Sequence, residues 1–570
     1  MFSEKPTRRE KSSKRNIVIA GVILVVLALA PSLGLGQGSQ PWNDASRFLL
    51  SKTFPIIETP TTRYYNWELS QSTISPDGLA RPMLLVNGMF PGPLIEANTG
   101  DRIVVNVTNN MDSGTAIHWH GIHQKGTPWM DGTMGVTQCA IPPGQSMIYN
   151  YTITNQWGTY WWHAHAASQY VDGIFGPLIV HSPDEPHLKK YDEDIIMMLQ
   201  DYYHTPSDPL VNWYHSPKSG GSDPLPDNGL INGRNSFNCS KAAQAQFPTN
   251  TKCTDGEPLA TFNFKAGSTY RIRLINTGAF ADFQFSIDGH TLTVIEADGV
   301  DMQPVPVQRL PIHVAQRYSV LVHANETVGN YYVRATINTN CFFGSNRALD
   351  PFVKAVIHYE NAPVAQSFDS TDWTAASMAP SCVDLALDML HPYNVQPAPT
   401  ADVSHLIKFT MKPSSDGILL GYANDRSWSP LMTNATLFQS QMGLTSFDAT
   451  QQVVVLDKNV IELVLINDDI GPHPFHFHGY TFSVLGWGNG TYVPGQTPLE
   501  VRNPLRRDTI TIPQRGWTVV RFVNDNPGLW TLHCHMDWHM EVGLLIQFES
   551  WPDRIRGLEI PSEITAMCGA

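Results

Sequence analysis

Apolar and polar residues alternate along much of this chain, and helical periodicity is scarce. The alternation is clearest in three stretches that echo one another. They are Gly100-Asp101-Arg102-Ile103-Val104-Val105-Asn106-Val107-Thr108-Asn109, Gly267-Ser268-Thr269-Tyr270-Arg271-Ile272-Arg273-Leu274-Ile275-Asn276, and Asn459-Val460-Ile461-Glu462-Leu463-Val464-Leu465-Ile466-Asn467. A period of two residues marks a strand beside turn signals, and glycine and proline, 42 of each, supply the punctuation that many short strands require. The echoes predict three copies of one β-sandwich. At 570 residues the chain exceeds one core, and a prior of about 100–200 residues per domain allows three to five.

Histidine follows the same two-residue rhythm. Four clusters occur: His118-Trp119-His120-Gly121, His163-Ala164-His165, His473-Pro474-Phe475-His476-Phe477-His478-Gly479, and His533-Cys534-His535 with His539 beyond it. On an extended strand Cys534 points to one face and its flanking histidines to the other, so one tripeptide can touch two metal centres. A thiolate with two imidazoles describes a blue-copper electron-transfer site, and paired imidazoles suit copper centres that handle oxygen. Ten histidines and one cysteine are enough for one three-ligand copper and a three-copper cluster holding eight imidazoles. A single buried histidine is usually an ordinary core residue, as His123, His181, His204, His215 and His290 are expected to be; four ordered clusters are not.

Longer motifs surround these histidines: Asp131-Gly132 and Gln138-Cys139 after the first, and Gly158-Thr159-Tyr160-Trp161-Trp162 before His163, with Gln169-Tyr170, Asp172-Gly173 and Gly176-Pro177-Leu178-Ile179-Val180 after it. From about Glu68 to Cys568 the chain resembles the multicopper oxidases of the laccase type. The resemblance implies an all-β fold of three cupredoxin-like (plastocyanin-like) Greek-key β-sandwich domains and four copper ions. It gives His473, Cys534 and His539 to the type 1 copper, His118 and His476 to the type 2 copper, and His120, His163, His165, His478, His533 and His535 to the type 3 pair. Leu544 stands at the family's axial position, where a non-coordinating side chain in place of methionine implies a high potential. Asp131 and Asp537 match the acids that supply protons for oxygen reduction. The expected division is 1–36 (signal peptide or signal anchor), 55–185, 190–362 and 400–555 (the three domains), and 556–570 (a tail with a disulfide cysteine). Four ligand histidines fall in the first domain, none in the second and the rest in the third, so the cluster is expected between the first and third. The middle domain is expected to shape the substrate pocket, and residues 361–400, rich in Ala, Ser, Pro and Asp, to connect it to the third.

The implied activity is one-electron oxidation of phenolic or aromatic amine donors at the blue site, coupled to reduction of O2 to water at the cluster. The donor is expected to approach the ring edges of His473 or His539. Asp227 matches the carboxylate that accepts the phenolic proton in laccases, whereas Asp223 and Asp469 resemble the acids that bind ferrous ion in fungal iron oxidases. Hard oxygen ligands suit that cation. Phenols are ranked first, and a ferroxidase acting on Fe(II) is the alternative. The intact ligand set argues against a catalytically silent relative and against a two-domain nitrite reductase, which lacks a type 3 pair. The scattered methionines argue against a cuprous oxidase. Ala140, where laccases commonly have proline, is a small departure.

The first residues carry Lys5, Arg8, Arg9, Lys11, Lys14 and Arg15, then an apolar run from Ile17 to Ala30. Fourteen apolar residues fall short of the about 20 that a spanning helix needs, which favours a cleaved secretory signal over an anchor. A secreted protein, extracellular or in a cell wall, is expected; membrane attachment through the N-terminus is the alternative. Seven cysteines less Cys534 leave six, an even set for an oxidising compartment. The family pattern suggests Cys139–Cys568, and proximity favours Cys239–Cys253 and Cys341–Cys382. Sequons at Asn106, Asn150, Asn238, Asn325, Asn434 and Asn489 fit a glycoprotein. The formal charge of −14, with no basic stripe in the body of the chain, makes nucleic acid a poor candidate partner, and none is expected. The protein is expected to be a monomer.

Overall fold

The computed structural model describes residues 45–363, 368–373 and 382–569. The N-terminal segment 1–36 lies outside them, as do parts of the 361–400 connector. The described residues build six β-sheets in sequence-consecutive pairs, each pair enclosing apolar side chains. The three echo strands hold the same place in each pair. Arg102–Asn109 pairs parallel with Thr62–Ile74 and antiparallel with Ser146–Thr152. Thr269–Asn276 does the same with Glu193–Tyr202 and Arg317–His323, and Val460–Asn467 with Val403–Pro413 and Gly516–Val523. In each unit two further strands intervene between the parallel partners, which a parallel pair needs for its crossover, and the recurrence makes the three units copies of one cupredoxin-like sandwich.

In the first and third units the second sheet carries the histidine clusters. Ile117–His120 lies antiparallel to Gly158–Ala164 with His118 opposite His163. His473–Phe477 lies antiparallel to Gly528–Cys534 with Phe475 opposite Cys534 and His476 opposite His533. All seven residues of each of the strands Gly158–Ala164 and Gly528–Cys534 are buried, so both faces of these strands look into protein. Three disulfides, Cys139–Cys568, Cys239–Cys253 and Cys341–Cys382, cross-link the body, leaving Cys534 as the free, buried thiol.

The middle sandwich grips the first through polar groups. Glu296 accepts from the Thr159 backbone N–H at 2.6 Å and its hydroxyl at 2.9 Å, Arg273 donates to the Thr159 hydroxyl at 3.1 Å, and Asp301 accepts from Trp157 Nε1 at 2.9 Å. Breaking a buried ion pair on one side leaves an uncompensated charge and costs about 3–5 kcal/mol; here Glu296 is shared between Arg271 and Arg273.

Burial raises the Asp301 pKa from 3.8 to about 7. A raised folded-state pKa contributes stability that is full below 3.8 and lost as pH climbs through about 7. Asp301→Asn keeps an acceptor for Trp157 and has no proton to lose. Its denaturant midpoint in the metal-free protein should therefore fall less than wild type's across that interval; parallel pH profiles would refute this origin.

Candidate metal centres

Alternation at the end of Gly528–Cys534 does what the local geometry demands. Cys534 Sγ lies 3.5 Å from His473 Nδ1 and 3.6 Å from His539 Nδ1, and the two Nδ1 atoms are 3.0 Å apart. His539 is brought in by the short helix Asp537–Glu541 that follows the strand. Leu544 closes the same turn: its carbonyl accepts the Cys534 N–H at 3.1 Å, its own N–H donates to the His539 carbonyl at 3.0 Å, and it is fully buried. It offers no donor atom.

On the opposite face His533 Nε2 lies 3.1 Å from His478 Nε2 and 3.5 Å from His165 Nε2. The rings of His118 and His478 stack at 3.9 Å and those of His120 and His476 at 3.6 Å, while His535 lies 5.1 and 5.2 Å from the rings of His120 and His163. Eight imidazoles, four from each of the first and third sandwiches, thus face one another. The outer nitrogens are held. Nδ1 of His118 donates to the Asp131 carbonyl (2.8 Å), that of His163 to Ala164 (2.9 Å), that of His476 to Asp508 (3.1 Å) and that of His533 to Cys534 (3.0 Å). A carbonyl only accepts, so the proton sits on Nδ1 and the lone pair on Nε2 turns inward.

Those inward nitrogens test the fit of a metal. Nε2 of His118, His163 and His476, Nδ1 of His120 and both ring nitrogens of His535 are buried without a hydrogen-bond partner. Each such atom costs about 1–3 kcal/mol, a burden that a cation bound by imidazoles removes. Burial, reinforced by neighbouring imidazoles, lowers the pKa of His120, His163, His165, His478 and His535 well below 6.5 and that of His533 to about 3. The rings are therefore neutral and available as ligands. At the other site burial opposes ionisation of Cys534, but the two imidazoles prevail and lower its pKa to about 7. The donor sets, one thiolate with two imidazoles and a cage of imidazoles alone, fit copper.

Carboxylates surround both sites. Asp131 touches His478 Nδ1 at 2.9 Å and His118 Nδ1 at 3.3 Å, and these imidazoles outweigh its burial and hold its pKa far below the usual range. Asp537 is the converse. It lines a small cavity with His163, His165, Tyr170, His533, His535 and Met540. Its carboxylate oxygens have no partner at hydrogen-bond distance, with the Ser168 hydroxyl a neighbour, and burial together with Glu541 raises its pKa well above the usual value. Asp508, which the motifs did not single out, lies 3.4 Å from His476 Nδ1 and 3.5 Å from His120 Nε2.

Of the three acids expected on the donor side, the structure brings two to it. Asp469 Oδ2 lies 3.0 Å from His473 Nε2 and Asp223 Oδ1 3.2 Å from His539 Nε2, so the imidazole edges are covered by carboxylates rather than presented to a donor. Burial opposes its ionisation, but the His473 contact lowers the Asp469 pKa to about 2; His539, despite its own burial, is raised to about 10 by Asp223 and Cys534. Asp227 is not at this site. Its N–H bonds back to Tyr202 at the start of a buried strand, and its carboxylate accepts from the His204 N–H and from Asn346 Nδ2, both at 2.8 Å. Two prolines between Asp223 and Asp227 separate the fates of the two acids. Phe343, exposed beside the Cys341–Cys382 disulfide, sets its ring against Gly471, between Asp469 and His473.

Sequence patterns described as multicopper oxidase match residues 68–185, 193–362 and 413–554, and the chain belongs to the multicopper oxidase family. Within that family it is of the laccase type. It is 34% identical over 552 residues to Laccase-1 of Cryptococcus neoformans var. neoformans serotype D (strain B-3501A), covering 92% of this chain and 86% of that one. Laccase-4 of Thanatephorus cucumeris is 37% identical over 526 residues, with 89% and 94% coverage. The crystal structure of a laccase from Botrytis aclada superposes with a TM-score of 0.81 at 32% identity, over 90% of this chain and 92% of that one. Fet3p, described as a multicopper oxidase that functions in iron import, gives 0.78 at 28%, over 89% and 94%.

Cys534→Ser removes the sulfur donor from one site and leaves the other face of the strand alone. The copper-loaded variant should lose its blue absorption while metal analysis and electron paramagnetic resonance still find copper in the histidine cluster; loss of both together would contradict two separately built sites.

Proposed function

We propose that this laccase-type oxidase takes single electrons from phenolic or aromatic amine donors at the Asp469–His473 edge of the Cys534 site. In this reading His473, Cys534 and His539 hold the type 1 copper, His118 and His476 the type 2 copper, and His120, His163, His165, His478, His533 and His535 the type 3 pair, four ions in all. Copper in these sites supplies one-electron oxidation on the thiolate side and four-electron reduction of dioxygen to water on the histidine side. The observation that carries the donor assignment is the carboxylate of Asp469 on His473 Nε2 with the exposed ring of Phe343 beside it. The ring offers an apolar face to an aromatic donor, and the ionised carboxylate accepts the hydroxyl proton that a phenol sheds as its electron leaves. Proton acceptance belongs to Asp469, and to Asp223 on His539, rather than to Asp227.

Within the histidine cluster Asp131 orients His118 and His478 as a fixed anion. Asp537, its pKa raised by burial and its side chain lining the cavity beside His163, His165, His533 and His535, would hold a proton at its carboxyl oxygen for the reduction of dioxygen there. The two acids divide the work: one holds and one delivers.

One specific observation favours a second reading. Two carboxylates, Asp223 and Asp469, cap both imidazoles of the thiolate site, an arrangement that also suits a hard cation such as ferrous ion. The resemblance in fold to Fet3p points the same way, and the greater identity to laccases points to phenols. Three disulfides and the basic–apolar segment from Lys5 to Ala30 support export through a cleaved signal. No helix among the described residues is long and apolar enough to cross a membrane.

Oxygen consumption by the copper-loaded protein should be faster with a dimethoxyphenol than with ferrous ion and should fall with the phenol in Asp469→Ala. A ferrous rate that exceeds the phenol rate and collapses in Asp469→Ala would establish the ferroxidase instead. Asp537→Ala should slow oxygen reduction by about 10²-fold or more while anaerobic bleaching of the blue band by donor keeps its rate; equal slowing of both would remove Asp537 from proton delivery.

A further inference from the structure

The middle sandwich contributes no histidine to either site, yet one of its side chains reaches the cluster's outer shell. Arg317 opens the strand Arg317–His323 and is fully buried. Its guanidinium forks onto Asp508, Nη1 to Oδ1 at 2.7 Å and Nη2 to Oδ2 at 2.6 Å, and its Nε donates to the Thr159 carbonyl at 3.0 Å. Asp508 belongs to the third sandwich and Thr159 to the strand of the first that carries His163. One side chain of the middle unit therefore bonds to both of its neighbours, beside the ligands each supplies.

The pair is seated with little freedom. Gly121, directly after His120, has φ +89°, and a Cβ there would stand 2.7 Å from Arg317 Nη2 and 2.9 Å from Asp508 Oδ2. The histidine–glycine sequence thus makes room for the ion pair against the ligand strand. Behind it, Asp298 Oδ1 accepts the Arg317 N–H at 2.8 Å and Asp298 Oδ2 accepts from Arg507 Nε at 2.8 Å, fixing the residues on either side of the contact.

Asp508 meets the outward ring nitrogens of two cluster histidines, Nε2 of His120 and Nδ1 of His476. One of its oxygens and ring nitrogens of His120 and His476 lie within 4.8 Å of one another. A carboxylate held by a bidentate guanidinium has both oxygens engaged and its plane fixed, whereas a free one could turn and draw the rings with it. We infer that Arg317 is a positioning residue for the histidine cluster: by holding both Asp508 oxygens it fixes that carboxylate as the partner that orients His120 and His476. The inference rests on the ligand assignment proposed above. It places the role of the ligand-free middle domain in the cluster's assembly as well as at the donor pocket.

The test is made on the full copper-loaded chain as wild type, Arg317→Gln, Arg317→Lys and the double variant Arg317→Gln/Asp508→Asn, in which a neutral amide pair replaces the ion pair. The readouts are copper per chain under chelator competition, the blue absorption band, and the electron paramagnetic resonance signal of the non-blue copper. Arg317→Gln should keep the blue band and lose affinity for cluster copper by about 10–100-fold, the usual range for an outer-shell partner, with an altered non-blue signal. Arg317→Lys, which cannot fork, should shift in the same direction by less. If Arg317→Gln fails to fold, the double variant, with no buried unpaired charge, carries the comparison and should recover affinity only in part. Wild-type affinity and signal in Arg317→Gln, or in the double variant where that carries the comparison, would overturn the inference. So would a parallel loss of blue and cluster copper, which marks general unfolding. A wild-type protein with no non-blue copper signal would instead sink the ligand assignment, and the inference with it.

Discussion

An extended backbone turns adjacent side chains to opposite faces, and at Cys534 that constraint fixes the relation between the two metal centres. The sulfur meets His473 and His539 on one side while His533 and His535 join the imidazole cage on the other, so the two sites are joined through the few covalent bonds of adjacent residues. Such a junction works only if both faces of the strand are buried, because water on either side would compete for the donor atoms. The third sandwich cannot supply that burial alone. The first covers the histidine face with four imidazoles of its own, and the middle one holds the first in place through Glu296 and Arg273 on Thr159. The three-domain architecture follows from the need to enclose one strand.

Within that enclosure aspartates of the same intrinsic acidity take different charge states. Asp131, Asp469 and Asp508 each face cationic or protonatable partners that outweigh the cost of burial and keep them ionised. Burial and a carboxylate neighbour, Glu541, instead raise the Asp537 pKa well above the usual value. Sorting identical residues into anchors and proton carriers by environment alone is a general device of catalytic sites. Here it sets the acids that contact imidazoles or a guanidinium apart from the one that lines the cavity beside His163, His165, His533 and His535.

The features legible in the sequence are those with local causes. The H-x-H spacing and the echo strands depend only on the two-residue period, and the structure repeats the expected pairing three times. Asp131 and Asp537 are tied by short chain distance to ligands, so their positions could be read from motifs. Asp508 could not. Beside Arg506 and Arg507 it looks like an ordinary surface acid, and its partner Arg317 is 191 residues away. The exchange of Asp227 for Asp223 has a different origin: both lie in one proline-rich loop, and backbone hydrogen bonding at Asp227 decides which turns inward. Asp223 and Asp469 could be placed beside the thiolate site through the resemblance to iron oxidases; which imidazole nitrogen each meets could not, since spacing carries no such information.

The Cys139–Cys568 disulfide spans 429 residues and ties the end of the chain to the first sandwich. Residues 139–568, which include the whole of the second and third sandwiches, are therefore a closed covalent ring. A protease that severs one peptide bond anywhere between these cysteines opens the ring without releasing a piece, and the histidines contributed by the two outer sandwiches stay on one molecule. Topologically, the nicked form is a two-chain enzyme with all of its ligands, whose halves part only once the disulfides are reduced.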